Sequence, residues 1–312
     1  LMDIKKGQFK NIKVLDANGQ ASLTASMIDN LSTDNCSIAS MTVSKTSFTC
    51  LDLGTNTVDL TVTDAAGNSS TATATVTVID NIPPVALCKN LTLELDKNGE
   101  VSISPKDLDN GSTDNCGISL LGFKIKNRLN YTEQTLDCSF IGENQVELIV
   151  RDGGGNKSSC FATVTVLETV APTVLTKNIS IPLESDGTVT ITAQQIDNGS
   201  TDACGIESMG IDKTTFGCAD FGENTVTLTV TDVNGNTASE TVNVTIVDEL
   251  KVLTKDISIE LDADGKAVIT PADIDNNSTN VCGFASMSLD KTMFDCGSIG
   301  VNTVKLAIKD IH

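Results

Sequence analysis

The chain has 312 residues, of which 41 are Asp or Glu and 21 are Lys or Arg, so its formal net charge at pH 7 is -20. An acidic surface of this kind repels phosphate backbones and anionic membrane surfaces, which argues against nucleic acid as a partner. No apolar run approaches the roughly 20 residues that cross a bilayer, and the opening residues LMDIKKGQFK lack the apolar core of a signal peptide. We therefore expect an internal part of a longer protein without a transmembrane segment of its own.

One phrase occurs four times and divides the chain into repeats. It reads DNLSTDNC, DNGSTDNC, DNGSTDAC and DNNSTNVC, and its copies end at Cys36, Cys116, Cys204 and Cys282. A second phrase surrounds another cysteine in each repeat, at Cys50, Cys138, Cys218 and Cys296. We place the repeats at residues 1–80, 81–168, 169–248 and 249–312, and we expect the fourth to lack its last strand.

Within a repeat, short runs that alternate apolar and polar residues predict half-buried strands. The first two are separated by Asp-x-x-Gly, as at residues 16–19, which predicts a type I turn. A Ser or Thr before one apolar turn, as at Thr24, then predicts a single helical turn. Longer alternating runs follow, and we expect the Phe beside the second cysteine to enter the core, as Phe48, Phe216 and Phe294. These elements predict an all-β chain of tandem immunoglobulin-like β-sandwich repeats that form an elongated rod.

Ten regularly spaced cysteines indicate an oxidising, extracellular compartment. The simplest connectivity is one disulfide inside each repeat, which pairs Cys36 with Cys50, Cys116 with Cys138, Cys204 with Cys218 and Cys282 with Cys296. Closing a loop of about 15 residues in this way stabilises a small domain by about 3 kcal/mol. Two further cysteines, Cys88 and Cys160, lie on the first and last strands of the second repeat, where we expect a fifth bond. Zinc is not expected, because the chain has no C-x-x-C motif and its one histidine is His312.

The phrase Asp-x-x-Gly-Asn supports two interpretations. The first interpretation is a hairpin turn, which needs only Asp at the first position and Gly at the fourth. The residues favour this interpretation. As a calcium site the phrase would supply oxygen ligands near each junction between repeats, together with the acid that ends the repeat. The three expected ligand sets are Asp64, Asn68 and Asp80; Asp152, Asn156 and Glu168; and Asp232, Asn236 and Asp248.

The first repeated phrase contains Ser-Thr-Asp, which we call the S-T-D phrase, and its Asp is a further candidate for an ion ligand. It occurs as Asp34, Asp114 and Asp202, but Asn280 replaces it in the fourth repeat. A hydrogen bond that caps the loop is therefore the favoured role of these carboxylates.

Catalysis is not expected from this sequence. A Ser-His-Asp or Cys-His arrangement needs an imidazole, and the single one is His312 at the end of the chain. The same acidic residues recur in most repeats. A structural role in each repeat requires such recurrence, whereas a single active site does not. No cofactor is required, and calcium is the one ion considered.

The residues DNGSTDNC, followed by GENTVTLTVTD-x-x-G-N and a linker of the form V-x-V-x-D-x-x-x-P, resemble hyalin-type (HYR-like) repeats. More narrowly, they resemble the tandem repeats of SprB-type gliding-motility adhesins. This resemblance implies an outer-membrane-attached filament on the cell surface, exported by type IX secretion and carried by gliding machinery while it grips an extracellular surface or polysaccharide. The second repeat departs from the pattern by an insertion at residues 124–134.

We therefore predict that the chain is the spacer of a cell-surface adhesin, with a role in attachment and gliding. One alternative is that the repeats themselves bind polysaccharide or a partner protein, through their Thr-rich faces or through the insertion. Another is that they form the accessory array of a secreted enzyme.

Overall fold

A computed structural model of the chain describes residues 11–312. The chain separates into two compact units, which meet in the sequence between Glu168 and Thr169. This position coincides with the predicted boundary between the second and third repeats, while the finer division into four repeats remains a prediction from the sequence.

The first repeat is built from two sheets around one core. Its strands and helical turn are β1 (Asn11–Val14), β2 (Gln20–Ser22), α1 (Ala25–Ile28), β3 (Ile38–Val43), β4 (Ser47–Thr49), β5 (Gly54–Asp64) and β6 (Ser69–Ile79). The larger sheet has the order β1-β6-β5-β3, in which β1 runs parallel to β6 and the other pairs are antiparallel. The smaller sheet is the antiparallel pair of β2 and β4.

The second repeat has the same plan with one additional hairpin. Its elements are β7 (Leu91–Glu94), β8 (Glu100–Ile103), α2 (Pro105–Leu108), β9 (Ile118–Ile125), β10 (Arg128–Asn130), β11 (Gln134–Asp137), β12 (Gly142–Asp152) and β13 (Lys157–Leu167). The larger sheet has the order β10-β9-β12-β13-β7, and β8 pairs with β11. The insertion therefore lengthens β9 and adds β10 at the sheet edge, through a turn in which Lys126 and Asn127 have positive φ.

The third repeat has the same elements as the first, and the fourth contains fewer strands. The elements of the third are β14 (Ile179–Pro182), β15 (Thr188–Thr190), α3 (Ala193–Ile196), β16 (Ile206–Ile211), β17 (Thr215–Gly217), β18 (Gly222–Asp232) and β19 (Thr237–Val247). Those of the fourth are β20 (Lys266–Val268), α4 (Pro271–Ile274), β21 (Phe284–Leu289), β22 (Met293–Asp295) and β23 (Leu306–Asp310). Residues 257–260, which correspond to β1, form no strand, because residues 249–312 contain no counterpart of β6 for them to pair with.

A long hairpin with alternating side chains forms the centre of each of the first three repeats. In β5 the side chains of Val58, Leu60 and Val62 are at most 3% exposed, whereas the hydroxyl of Thr61 hydrogen-bonds that of Thr71 on the outer face. This is the pattern of a sheet with one buried and one solvated face.

The expected core phenylalanines are confirmed. Phe48, Phe216 and Phe294 are 0%, 1% and 7% exposed. Phe48 comes from the smaller sheet and shares one buried cluster with side chains of β5 and β6, so the two sheets pack face to face. The fold is accordingly the predicted series of immunoglobulin-like β-sandwiches.

The predicted local motifs are also present. The Asp16 carboxylate accepts hydrogen bonds from the N–H groups of Asn18 and Gln20, at 2.9 and 3.0 Å. Helical turn α2 follows Ser104, whose N–H donates to the Asp107 carboxylate at 2.8 Å in a capping box. In the hairpin turn after β5, the Asp64 carboxylate accepts the N–H of Asn68 at 2.8 Å.

Candidate functional site at the repeat junctions

Two disulfides join successive repeats. Cys50 bonds to Cys116 with a Cα–Cα distance of 5.2 Å, and Cys218 bonds to Cys282 with a Cα–Cα distance of 5.5 Å. In each case the first cysteine begins a 3-10 turn. The second ends the phrase DNGSTDNC or DNNSTNVC of the following repeat. Cys138 and Cys204 are disulfide-bonded as well. Cys50–Cys116 and Cys218–Cys282 therefore each tie the end of one sandwich to the start of the next.

The predicted bonds inside the repeats are wrong. Cys50 and Cys218 pair with the following repeats, so neither Cys36 with Cys50 nor Cys204 with Cys218 is formed. For the same reason Cys116 does not bond Cys138, and Cys282 does not bond Cys296. Cys36 and Cys296 are exposed free thiols, which we call the two free thiols below.

The long hairpin gives the physical reason. Cys36 precedes β3, whose first residue Ile38 pairs with Asp64 at the turn end of β5. Cys50 lies just before Gly54, at the other end of the same strand. An 11-residue strand is about 35 Å long, and a disulfide tolerates a Cα–Cα distance of only about 7 Å. The two cysteines of one repeat consequently lie at opposite ends of the sandwich.

The fifth expected bond is confirmed. Cys88 pairs with Cys160 inside the second repeat, with a Cα–Cα distance of 5.9 Å. Cys160 lies on β13, and Cys88 lies three residues before β7, the strand that pairs parallel to β13. This bond fastens the edge of the sheet.

The junction between the first two repeats is closely packed around its disulfide. Cys50 and Cys116 both pack against the core of the first repeat. A Cβ atom placed on Gly19 would lie 2.5 Å from the Cys50 sulfur and 2.9 Å from the Asn115 carbonyl oxygen. Gly19 also has a positive φ of 71°. Glycine is therefore required here both by space and by backbone conformation.

Three carboxylates meet beside this disulfide, in what we call the junction cluster: Asp80, Asp114 and Asp152. One carboxylate oxygen of each lies within 4.8 Å of the others. Asp80 follows β6 at the end of the first repeat, Asp114 belongs to the S-T-D phrase of the second, and Asp152 ends β12. Asp80 and Asp152 are each 3% exposed.

Part of each carboxylate in the junction cluster is hydrogen-bonded. The N–H of Ile82 donates to Asp80 Oδ1 at 3.0 Å, and the N–H of Cys116 donates to Asp114 Oδ2 at 2.8 Å. The backbone N–H and the amide of Asn156 donate to the two oxygens of Asp152 at 2.8 and 2.7 Å. The same Asn156 amide donates to the Asp80 carbonyl oxygen at 2.9 Å, which links the two repeats.

Other oxygens of this region are buried without a hydrogen-bond partner. They are Asp80 Oδ2, Asp114 Oδ1 and the side-chain oxygen of Asn115. The ion pairs found among residues 11–312 join Lys45 to Asp52 and Lys213 to Asp220, so no Lys or Arg within this range pairs with the junction cluster. Unpaired buried acceptors are costly unless something binds them.

The structure groups the predicted calcium ligands differently from the sequence-based sets. Asp80 lies with Asp152 and Asn156, the turn residues of the following repeat. Asp64 and Asn68 lie at the turn end of β5, whereas Asp80 follows the opposite end of that hairpin. By the same geometry Asp152 is separated from Glu168, and Asp232 with Asn236 is separated from Asp248. Asp114, which the sequence assigned to a loop cap, is both a cap and a member of the cluster.

The junction between the third and fourth repeats is built differently. Asp248 accepts the N–H groups of Val281 and Cys282 at 3.3 and 3.2 Å, so both of its carboxylate oxygens are occupied. Asn280 stands where the second repeat has Asp114. Asp248 lies near Cys282 and His312, but Cys282 is locked in its disulfide. This junction therefore has one carboxylate where the junction cluster has three.

These features define a tandem array of immunoglobulin-like sandwiches with disulfides between successive repeats. The chain is similar to hyalin of Strongylocentrotus purpuratus, with 30% identity over 194 residues that cover 59% of the chain and 15% of hyalin. It is also similar to hyalin of Lytechinus variegatus, with 27% identity over 213 residues that cover 63% of the chain and 37% of that protein. The chain thus spans well under half of the curated relatives it matches. No protein-family model matches it.

Solved structures superpose only loosely. The titin fragment I67–I69 covers 79% of the chain at 11% identity and a TM-score of 0.36, with 98% of the fragment matched. Sidekick-1 immunoglobulin domains 1–4 cover 77% at 10% identity and a TM-score of 0.32, with 75% of that chain matched. An endo-fucoidan hydrolase of glycoside hydrolase family 107 covers 77% at 14% identity and a TM-score of 0.25, with 43% matched. TM-scores this low carry no argument about function.

Membrane crossing by a helix is not seen in the described part of the chain, where no helix is long and apolar enough to span a bilayer.

Proposed function

We propose that the chain is a repeat segment of an extracellular attachment protein, in which the sandwiches act as a disulfide-linked spacer. The observation that carries this proposal is the position of the disulfides, since Cys50–Cys116 and Cys218–Cys282 connect neighbouring repeats. Bonds inside a repeat would only stabilise that repeat, whereas bonds between repeats also keep neighbours together. That property suits a spacer under load.

Two further findings support an extracellular adhesive role. Eight of the ten cysteines are disulfide-bonded, which is typical of proteins in oxidising compartments. The sequence similarity to the two hyalins supports the hyalin-type repeat that the motifs suggested.

Labelling of intact cells tests this proposal. An antibody raised against the whole chain is expected to stain unpermeabilised cells of the source organism, and treatment of those cells with an external protease should remove the stain. Beads coated with the chain alone should not adhere to polysaccharide-coated glass above the level of albumin-coated beads, because a spacer carries no tip. Staining that requires permeabilisation would overturn the extracellular location.

A role in gliding is the narrower form of the proposal and rests on the resemblance to SprB-type adhesins. In that role an outer-membrane-attached filament would be moved along the cell by its machinery. Beads carrying the antibody should then travel along the surface of living cells. Beads that bind but stay in place would contradict gliding and leave attachment as the function.

Ligand binding by the repeats is a second candidate, which the insertion of the second repeat favours. Hairpin β9–β10 precedes Tyr131, the chain's one tyrosine, which is 42% exposed. Tyr131 lines a surface groove of about 600 Å³ together with Pro105 and Leu120. If this groove binds a sugar or a partner, beads coated with the chain will adhere and Tyr131→Ala will abolish that adhesion. If the repeats are instead the accessory array of a secreted enzyme, the flanking sequence will encode a catalytic domain.

A further inference from the structure

The junction cluster places negative charge in a poorly solvated position. Asp80 and Asp152 are buried to 97%, and oxygens of all three carboxylates lie within 4.8 Å of one another. Burial penalises an ionised carboxylate, and like charges at this distance repel one another. The hydrogen bonds from Ile82, Cys116 and Asn156 satisfy only some of the oxygens. A positive charge between the carboxylates would remove both penalties.

We infer that the junction cluster is a calcium site. The observation beyond the acidic cluster itself is that Asp80 Oδ2, on a side chain 3% exposed, is buried without a hydrogen-bond partner. Asp114 Oδ1 and the side-chain oxygen of Asn115 are unpaired in the same way. The Asn115 amide donates to Asp80 Oδ1 at 3.3 Å, so this fourth group lies against the cluster.

The donor set selects the class of cation. All the available donors are oxygens, which suit a hard cation, and Ca²⁺ takes six to eight oxygen ligands at roughly 2.3–2.6 Å. Two ligands on opposite sides of such an ion are at most about 5 Å apart, and the 4.8 Å limit found for the carboxylate oxygens agrees with this. Zinc would prefer nitrogen or thiolate sulfur, and the neighbouring Cys116 sulfur is already in a disulfide.

The junction between the third and fourth repeats provides a comparison within the same chain. Asp248 occupies the sequence position of Asp80, but backbone N–H groups donate to both of its oxygens. Asn280 replaces the second carboxylate. We therefore expect no calcium at Asp248. Because Asp80 belongs to one repeat and the other two ligands to the next, a bound ion would connect the repeats beside Cys50–Cys116. This inference does not depend on the adhesive role.

The test uses the whole chain, freed of metal by chelation and kept oxidised. Calcium binding is measured by isothermal titration with CaCl₂, with MgCl₂ for comparison, and the melting temperature is measured in CaCl₂ and in EDTA. The test variant is Asp80→Asn and the matched control is Asp248→Asn. We expect Asp80→Asn to bind one Ca²⁺ fewer per chain than the wild type, while Asp248→Asn binds as many as the wild type.

The melting temperatures provide a second readout, in which the effect of Asp80→Asn changes sign. In EDTA the variant should melt higher than the wild type, because it has lost one of three repelling charges. In CaCl₂ it should melt lower, because it has lost the ion. If Asp80 only accepted the hydrogen bond from Ile82, the substitution would lower the melting temperature equally in both buffers, which would overturn the inference.

Other results also decide the question. A wild-type chain that neither binds Ca²⁺ nor melts higher in it would overturn the inference, and so would an unchanged number of bound ions in Asp80→Asn. Peptide mapping must show Cys50–Cys116 intact in the variant. If Asp80→Asn does not fold, Asp114→Asn, whose side chain is less buried, carries the same expectations.

Discussion

Removal of the Cys50–Cys116 disulfide should destabilise the first two repeats strongly. The bond closes a loop with a sequence separation of 66 residues. The chain-entropy relation for a loop of this size gives a loss of about 4 kcal/mol when the bond is removed. With a slope of about 4 kcal/mol/M for guanidinium unfolding, this corresponds to a shift of the midpoint by about 1 M.

The perturbation is the double variant Cys50→Ala with Cys116→Ala, which leaves no new free thiol. Unfolding of the whole oxidised chain in guanidinium chloride is followed by circular dichroism, and the midpoint of the transition that is sensitive to the variant is compared with the wild type. The matched control is Cys36→Ala, which removes an exposed thiol without a bond. We expect the control to unfold at the wild-type midpoint.

The two connectivities give opposite results for the control. If Cys36 were bonded to Cys50, the Cys36→Ala chain would lose the same stability as a chain without Cys50. Proteolysis without reductant followed by mass spectrometry decides the point directly, because one linked peptide must contain Cys50 and Cys116. A linked peptide containing Cys36 and Cys50 would refute the reasoning from the hairpin length.

Three more outcomes are expected. Titration of the folded, oxidised chain with a thiol reagent should give two thiols per chain, and mass spectrometry should locate them at the two free thiols; more than two would contradict the four-bond pattern. Phe48→Ala should lower the free energy of unfolding by about 3–5 kcal/mol, because the ring is fully buried, whereas Leu51→Ala, at a side chain 97% exposed, should change it by less than about 0.5 kcal/mol. Hydrogen bonds from the side chain and then the backbone N–H of Asn68 lower the pKa of Asp64 below its ordinary value of 3.8. The stability that this carboxylate contributes is therefore complete above pH 3.8 and is lost as the pH falls through the lowered pKa; an NMR titration of Asp64 that gives an ordinary pKa, and an Asn68→Ala variant that leaves it unchanged, would contradict this.

Much of the fold follows from local sequence signals. The alternation in GTNTVDLTVTD predicts a half-buried strand, and the structure has β5 there, with Val58 at 1% exposure. The Asp-x-x-Gly turns and the single helical turns depend on neighbours within four residues, which the sequence shows directly. The Cys88–Cys160 bond was also predicted, because the first and last strands of the second repeat were expected to meet across the sandwich. In the structure β7 and β13 are instead neighbours in one sheet.

The remaining disulfides could not be read from cysteine spacing. Proximity in sequence favoured Cys36 with Cys50, but these cysteines flank opposite ends of an 11-residue strand. This arrangement follows from the pairing of β3 with β5. Cysteine spacing does not reveal which strands pair. The regular recurrence of both cysteines did not distinguish the two patterns, because bonds inside repeats and bonds between repeats both need the same two positions in every unit.

The same geometry explains the regrouped acids. Asp80 and Asp64 are close in sequence, but the β5–β6 hairpin separates them by its full length. Asp80 therefore meets Asp152 of the following repeat, and Asp114 joins them from a loop. The sequence showed which acidic residues were candidate ligands. Which of them lie together depends on how one sandwich meets the next.

The disulfides between repeats also determine how the chain responds to a pulling force. When the ends are drawn apart, tension that reaches Cys50 passes through the sulfur atoms to Cys116, and the residues between them carry no load. That segment contains the whole β5–β6 hairpin and the linker. With a sequence separation of 66, this segment would otherwise release about 230 Å of contour length on unfolding. The segment between Cys218 and Cys282, with a sequence separation of 64, is withheld in the same way. The oxidised chain would thus extend less under force than the reduced chain, and a reductant would make it longer and more compliant without breaking a peptide bond.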